Sequence, residues 1–238
     1  MKVSLSCPEC MRLKEELLTF MAELRFKNDC TYELKCPNGH EFKANILYHE
    51  FQKLFEIGVT SLADEYYREA VCAFAASYER FMELFVRVAL RSHSVDASLE
   101  VLIWKKVARQ SERQLGAFLL LYSLEFKAEP QTLPDDLVNL RNKTIHQGYF
   151  PTKEESIKYG KEVLGRIREA ISRLYASDRH RDAFIRSIND QGDFSDSGLW
   201  MTFYAYSLIG TNRPPEQDTK SFKEMLEDAS KARATAQG

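Results

Sequence analysis

The chain has 238 residues and a mass of 27.6 kDa, which suits one medium domain with an appendage or two small domains. Its 33 Lys and Arg residues are balanced by 35 Asp and Glu residues, and the net charge of -2 excludes a generally polycationic nucleic-acid coat. The composition, with 44% hydrophobic residues but only 10 Gly and 7 Pro, is that of a soluble globular protein and disfavours disorder and an all-β fold.

Targeting signals and cysteine usage predict where the chain resides. The longest apolar run, residues 117–122, is far shorter than the ~20 residues that a membrane-spanning helix needs. The N-terminus lacks the apolar segment of a secretory signal. Four of the five cysteines lie in the first 36 residues, which indicates a local site and not a disulfide framework. We therefore expect a cytoplasmic protein with no membrane partner.

The first 46 residues are predicted to form a small module of their own. Apolar side chains recur at helical spacing between residues 12 and 26 and predict a helix there. These side chains are Leu13, Leu17, Met21 and Leu24. Residues 31–36 alternate like a strand, residues 37–39 have the composition of a turn, and residues 41–46 supply the return strand of a β-hairpin.

The rest of the chain has the apolar periodicity of a helical bundle. Helices are predicted over residues 47–62, 68–91, 97–125, 135–147 and 152–176. The third is one broken helix or two, with a kink at Gly116, and Thr152 with Glu155 forms a capping box that opens the last. The fold class is therefore mainly α, with an N-terminal module at 1–46, a bundle at 47–210 and a polar tail at 211–238.

Two pairs of candidate metal ligands lie in the N-terminal module. Cys7 and Cys10 form the first pair, and Cys36 and His40 form the second. Zinc prefers four nitrogen or sulfur ligands in a tetrahedron, and two tight turns that face each other supply them. Four protein ligands predict a closed structural zinc site with no catalytic role. Cys30 leaves an alternative open, since it either replaces His40 as the fourth ligand or remains a buried thiol.

The two ligand pairs also resemble those of zinc ribbons. In that class a glycine and an aromatic strand residue commonly follow the second pair, and here Gly39 and Phe42 fit. The resemblance covers only residues 1–46. Acidic and basic residues cancel in this segment, so its composition gives no reason to assign nucleic-acid binding to the module by itself.

A polar cluster on the helix predicted at 135–147 suits phosphate chemistry. Asn142 and His146 are four residues apart and share a helix face, so the amide can orient the imidazole. Arg141 is five residues from His146, and its long side chain can curl toward the ring. Histidine moves protons near neutral pH, and arginine binds phosphate oxygens in a fork.

These residues resemble the conserved Arg…His motif of the HEPN superfamily, in its frequent form with Asn after the Arg. The surrounding sequence is similar too, since residues 151–155 read Pro-Thr-Lys-Glu-Glu and an earlier helix carries an inward Glu79. The resemblance spans about residues 48–176. It implies an all-α bundle that forms a homodimer, with the two motif helices meeting at a shared cleft.

The resemblance further implies a metal-independent endoribonuclease that acts on RNA as a toxin or anti-phage, antiviral defence effector. The RNA 2′-OH would attack the adjacent phosphate and leave a 2′,3′-cyclic phosphate. His146 would be the general acid or base, and Arg141 would stabilise the charge on the phosphorane. Asn142 would orient His146 or touch the phosphate, and Glu79 would support the others. A cognate inhibitor or a defence-system partner is a further expectation.

Lys105, Arg109 and Arg113 recur at intervals of four residues and form one cationic ridge if this region is helical. A nuclease would use such a ridge to hold the RNA backbone.

Two other functions stay open at this point. The chain is a non-catalytic interaction or sensor module in which His146 is merely packed, or it is a metal-dependent hydrolase at the cysteine site, for which no general base is visible.

Overall fold

The computed structural model describes residues 2–13, 19–27, 30–189, 200–204, 207–211 and 214–236. The chain divides into two compact units. The first combines Met1–His49 with Arg186–Ser207, and the second combines Glu50–Ile185 with Leu208–Gly238. The fold is mainly α-helical with small sheets in the first unit, as predicted. Within the described ranges, no helix combines the length and apolar character that crossing a membrane requires.

Among its described residues, the first unit contains one complete short helix and two small sheets. Its elements are β1 (Lys2–Ser6), α1 (Pro8–Leu13), β2 (Thr19–Glu23), β3 (Thr31–Lys35), β4 (Glu41–Leu47) and β5 (Trp200–Tyr204). Strands β1 and β2 pair antiparallel, and β3 and β4 form the predicted antiparallel hairpin. The predicted turn between β3 and β4 includes Gly39 at φ +91°. Strand β5 pairs parallel to β4.

The helix predicted over residues 12–26 is wrong for most of its length. Helix α1 ends at Leu13, and Thr19–Glu23 is a strand, while residues 14–18 lie outside the described part of the chain. Phe20, Ala22 and Leu24 recur every second residue, and all three pack against the core of this unit. The alternation of these apolar side chains, with a period of two residues, is that of a strand. Leu17, Met21 and Leu24 fit a helical spacing equally well, which explains the wrong prediction.

The second unit is built from helices. They are α2 (Glu50–Ala63), α3 (Tyr67–Ser92), α4 (Ala97–Val107), α5 (Ser111–Phe126), α6 (Asp135–His146), α7 (Lys153–Tyr175), α8 (Asp178–Asn189), the short 3₁₀ helix Pro215–Gln217 and α9 (Phe222–Ala236). Several ends follow local rules. Thr152 and Glu155 form the predicted capping box, and Gly148 adopts φ +70° just after α6.

The core of the second unit surrounds α3, which packs against α2, α5, α6 and α7. The ring of Phe74 lies 5.1 Å from that of Phe55 and 5.8 Å from that of Phe222, measured between centroids. A second aromatic group joins Phe85 to Phe118 and Tyr122. Helices α6 and α7 pack directly against α3. The candidate site lies where these three helices meet.

Two expectations about the bundle had different outcomes. The 97–125 region is two helices, one of the two predicted alternatives, and the interruption lies at residues 108–110. Helix α5 continues through Gly116, where a kink was expected. Residues 211–238 are not a separate polar tail, since α9 buries Phe222 and Met225 against the core. Within residues 194–209, Trp200–Tyr204 forms β5, whereas residues 194–199 and 205–206 lie outside the described ranges.

Candidate functional site

The four predicted metal ligands converge in the first unit. Cys7 and Cys10 lie at the junction of β1 and α1, and Cys36 and His40 flank the turn between β3 and β4. Their ligand atoms all lie within 4.8 Å of one another. The Sγ atoms of Cys10 and Cys36 are 3.7 Å apart, and the Nδ1 atom of His40 is 3.3 Å from Cys10 Sγ and 3.6 Å from Cys36 Sγ.

These spacings fit a tetrahedral zinc ion. With Zn–S bonds of ~2.3 Å, two sulfur ligands of a regular tetrahedron lie ~3.8 Å apart. The Asn38 Nδ2 group donates to Cys10 Sγ at 3.4 Å, and the Cys10 backbone N–H donates to Cys7 Sγ at 3.5 Å, and such hydrogen bonds favour the thiolate. Among the described residues the cluster contains His40, whereas Cys30 lies outside it.

The electrostatics of Cys36 also suit a metal ligand. Burial alone would raise the pKa of its thiol, but hydrogen bonds from the His40 backbone and from the side chains of Cys10 and Cys7 outweigh that effect and lower the pKa to about 7. The thiolate is the form that binds metal. The residues present therefore fit a structural zinc site with four protein ligands.

A second arrangement lies in the helical unit, where Arg141 is held between two side chains. The Arg141 Nη2 group donates to Glu79 Oε1 on α3 at 2.5 Å, and its Nη1 group donates to Asn142 Oδ1 at 2.9 Å. The side chains of Arg141 and Glu79 are 24% and 28% exposed, so the ion pair stays accessible. The contacts use only two of the five N–H groups, and the guanidinium keeps donors for a phosphate.

His146 is the last residue of α6, and it is exposed. Within the described part of the chain its imidazole has no hydrogen bond or ion pair, and the Asn142 amide bonds to Arg141 and not to His146. Two roles were expected for Asn142, namely orienting His146 or touching the phosphate. Its hydrogen bond to Arg141 is compatible with the second role. The imidazole is accessible to a substrate, which a packed, structural histidine would not be.

A cavity of about 390 Å³ opens beside Arg141 and Asn142. Its walls come from α3, α5, α6, α7 and the loop before α6, and His146 does not line it. Tyr78 and Tyr159 form part of the wall, and burial raises the pKa of both phenols, that of Tyr78 to about 12. Both hydroxyls therefore stay protonated at neutral pH.

The predicted cationic ridge is divided between two helices. Lys105 lies on α4, Arg109 in the turn that follows, and Arg113 on α5. All three are exposed, and the Arg113 guanidinium donates to the Lys106 carbonyl oxygen at 3.3 Å. Because residues 108–110 form a turn between two helices, the spacing of four residues between the three side chains does not place them on one helix face. The three cations are instead grouped around a helix–helix turn.

Sequence reasoning missed a charge cluster around the buried carboxylate of Glu125 on α5. Its carboxylate accepts hydrogen bonds from His93 Nε2 at 2.5 Å, His180 Nε2 at 2.7 Å and Arg179 Nη2 at 2.7 Å. These partners are 32, 55 and 54 positions away along the chain. No local motif signals such contacts, because tertiary packing alone brings the side chains together.

Comparisons of the chain with protein-family models, with curated proteins and with solved structures found no match. Functional inference therefore depends on two geometric features. One is the Cys/His cluster of the first unit. The other is the arrangement on α6, where Arg141 is held by Glu79 and Asn142 beside a cavity and the helix ends at the exposed His146.

Proposed function

We propose that the protein is a metal-independent endoribonuclease of the HEPN type. The observation that carries the proposal is the support of Arg141 by Glu79 and Asn142, on the same helix that ends at the exposed His146. A fixed guanidinium with free N–H groups binds phosphate oxygens in a fork. An accessible imidazole exchanges protons with an RNA substrate.

The reaction follows from these two groups. A base removes the proton of the RNA 2′-OH, the oxygen attacks the neighbouring phosphorus, and the bond to the 5′-oxygen breaks. An acid returns a proton to that oxygen, so the products are a 2′,3′-cyclic phosphate and a 5′-OH. His146 serves as acid or base, and Arg141 stabilises the charge that develops on the phosphorane oxygens.

One histidine does not readily supply both proton transfers, so the proposal includes a homodimer. Two copies of Arg141 and His146 around a two-fold axis provide both an acid and a base. The exposed side chains of Lys105, Arg109 and Arg113 supply cations for the RNA backbone. The proposed setting is a cytoplasmic toxin or anti-phage defence effector, restrained by a cognate inhibitor or a partner of a defence system.

The Cys/His cluster has a structural part in this proposal. One zinc ion held by Cys7, Cys10, Cys36 and His40 would tie α1 to the β3–β4 hairpin. Its coordination by four protein groups leaves no open position for substrate or water. The reaction therefore needs nothing from this site beyond a folded first unit.

The test is incubation of the purified full chain with total RNA, with and without EDTA. We expect cleavage in both samples and products with 2′,3′-cyclic phosphate ends. Arg141→Lys should cleave poorly, because a point charge does not reproduce the fork on phosphate oxygens. Asn139→Ala, at an exposed position of the same helix, is the matched control. Absence of cleavage, or 3′-OH ends made only with added metal, would contradict the proposal.

A second candidate, a non-catalytic interaction module, is favoured by apolar side chains exposed on α4 and α5. Each of the following is at least 39% exposed: Leu99, Leu102, Ile103, Leu120 and Leu124. Exposed apolar patches often mark protein contacts. If this is the function, Leu102→Glu with Leu120→Glu will abolish complex formation in cells, and His146→Ala will have no effect.

A further inference from the structure

A groove of about 680 Å³ lies between α7 and α9, and none of its lining residues belongs to the proposed nuclease site. Along α7 the lining residues are spaced at i, i+4, i+7, i+8 and i+11, from Ile157 to Arg168, so they occupy one helix face. This face is three turns long, about 16 Å at ~1.5 Å per residue. Residues 221–223 and Leu226, at the start of α9, form the opposite wall. The groove is therefore elongated along α7.

The apolar surface of the groove comes from four side chains. Leu164 and Phe222 are buried, whereas Ile157 and Leu226 are half-buried, so part of the apolar surface of the latter two stays in contact with water. Exposed apolar surface that is rimmed by polar groups often marks a contact with another protein. The groove is therefore a candidate docking surface for an apolar face.

The charged side chains of the groove are all cationic. They belong to Lys161, Arg168 and Lys223, and no carboxylate of the described residues lines the groove. Arg168 Nε donates to Asp218 at 2.9 Å, so this pair is neutral. Lys161 has no ion pair in the described part of the chain, and Lys223 Nζ lies 3.7 Å from the exposed Glu227. The two lysines therefore favour an anionic occupant.

Gly165 gives an independent indication of an occupant. It is exposed in the middle of α7 and lines the groove, and a Cβ atom added to it would meet nothing within 4 Å. Gly160 on the same helix is required by packing, since its Cβ atom would lie 2.6 Å from the ring of Phe222. Glycine weakens a helix interior relative to alanine, and no described contact explains it at position 165. It does let the backbone of an occupant approach α7 closely.

We propose that this groove binds an acidic amphipathic helix of a partner protein. Such a helix presents apolar side chains at intervals of three and four residues, which match a groove three turns long. Its apolar side chains would cover Ile157 and Leu226, its carboxylates would face Lys161 and Lys223, and its backbone would pass close to Gly165. The inference is independent of the proposed ribonuclease activity, because no residue of the groove takes part in that reaction.

The test compares two stapled helical peptides of about 16 residues, since unstapled helices of this length are marginal in water. Both carry leucines at i, i+4, i+7 and i+11, and the remaining positions carry mostly glutamate in one peptide and mostly lysine in the other. Fluorescence anisotropy measures their binding to the full chain at low salt. The glutamate peptide should bind at least about tenfold more tightly, and high salt should reduce the difference because it screens exposed charges.

Variants of the groove test each part of the inference. Lys161→Glu with Lys223→Glu should remove or reverse the preference for the glutamate peptide. Gly165→Ala should weaken its binding by about tenfold, because the added methyl group occupies the closest point of approach while the chain itself has space for it. Lys153→Glu makes the same charge change at an exposed position of α7 outside the groove lining, and it should bind as the wild type does.

Several results would overturn the inference. No binding of the glutamate peptide, equal binding of the two peptides, or an equal loss of binding in Lys153→Glu would each do so. Palmitate that binds more tightly than the glutamate peptide, and that loses its binding in the double lysine variant, would assign the groove to a small anionic amphiphile instead. Light scattering that finds a dimer in the wild type and a monomer in the double lysine variant would assign it to a second copy of this chain.

Discussion

At the scale of single residues, Glu125 shows how a buried carboxylate stays ionised. Its side chain is only 2% exposed, and burial alone would raise its pKa. Hydrogen bonds from His180 and His93 outweigh that effect and lower the pKa below its ordinary value of 4.5. Removing the charge would leave Arg179 and both imidazoles without their shared anionic partner, so the cluster should contribute to the stability of the second unit.

The substitution Glu125→Gln tests this cluster. Because the folded pKa is depressed, the ionised carboxylate stabilises the fold above its unfolded pKa, and this contribution disappears as pH falls through the folded pKa. We expect a loss of about 1–3 kcal/mol in the free energy of unfolding at pH 7, because two of the three partners are half exposed to solvent. The difference from wild type should shrink below pH 4.5.

Urea unfolding from pH 7 to pH 3 measures this effect. Glu129→Gln, which alters an exposed carboxylate of the following loop, is the control and should leave stability nearly unchanged. A Glu125→Gln penalty that is constant over the whole pH range would show that shape and packing, and not the charge, determine the effect.

The residues of the motif helix were predictable to different degrees. Arg141, Asn142 and His146 stand out locally because three polar groups share one short segment. The ion pair between Arg141 and Glu79 joins positions 62 apart, and nothing in the local sequence specifies it. The hydrogen bond from Arg141 to Asn142 also replaced the expected contact between Asn142 and His146, because a neighbouring guanidinium is a charged donor within reach.

At the scale of elements, long periodic helices were predictable and short segments were not. The 26 residues of α3 repeat the helical period many times, whereas the five residues of β2 fit either period. The capping box at Thr152 was visible because it needs only four residues. The pairing of β5 with β4 joins residues more than 150 positions apart, and no hairpin signal marks it.

Packing between α2 and α3 requires a glycine at one position. A Cβ atom added to Gly58 would lie 2.5 Å from the ring of Phe74. Gly58→Ala should therefore lower the free energy of unfolding by about 1–3 kcal/mol. The matched control is Gly165→Ala on α7, where a Cβ atom meets nothing within 4 Å, and it should raise stability by up to about 1 kcal/mol. Chemical denaturation that finds equal effects for the two variants would contradict this packing.

The Cys/His cluster should bind one zinc ion per chain. Metal analysis of Cys36→Ser should find no zinc, and limited proteolysis should cut within the first unit, because metal binding and folding are coupled in so small a module. Cys30→Ser is the matched control and should keep its zinc, since Cys30 lies outside the cluster. Pure wild-type protein without zinc, or loss of zinc in Cys30→Ser, would refute the assignment of ligands.

At the scale of the whole molecule, the two units are not continuous in sequence. Residues 186–207 join the N-terminal unit, and α9 returns to the helical unit, where Phe222 packs on Phe55 and Phe74. The units change after residues 49, 185 and 207, whereas the sequence predicted domain boundaries at residues 46 and 210. Composition does not reveal such returns, because α9 is largely polar and only a few of its side chains reach the core.

The proposed homodimer predicts a mass in solution of twice the 27.6 kDa of one chain. Light scattering at micromolar concentration measures it, and RNA cleavage should fall on dilution as dimers dissociate. The double variant Leu102→Glu, Leu120→Glu distinguishes a dimer through the exposed α4–α5 face from one formed elsewhere on the bundle. A monomer that retains full activity would contradict the proposal of paired sites.

The most direct test of the account compares RNA cleavage by His146→Ala with that by wild type. His146 is exposed and has no described side-chain partner, so the variant should keep its circular dichroism spectrum and thermal stability. Its cleavage rate should fall by about 10²–10⁴-fold, the usual contribution of a general acid or base. Asn139→Ala should cleave at the wild-type rate. A folded His146→Ala protein that cuts RNA as fast as wild type would contradict the ribonuclease assignment and favour the interaction module.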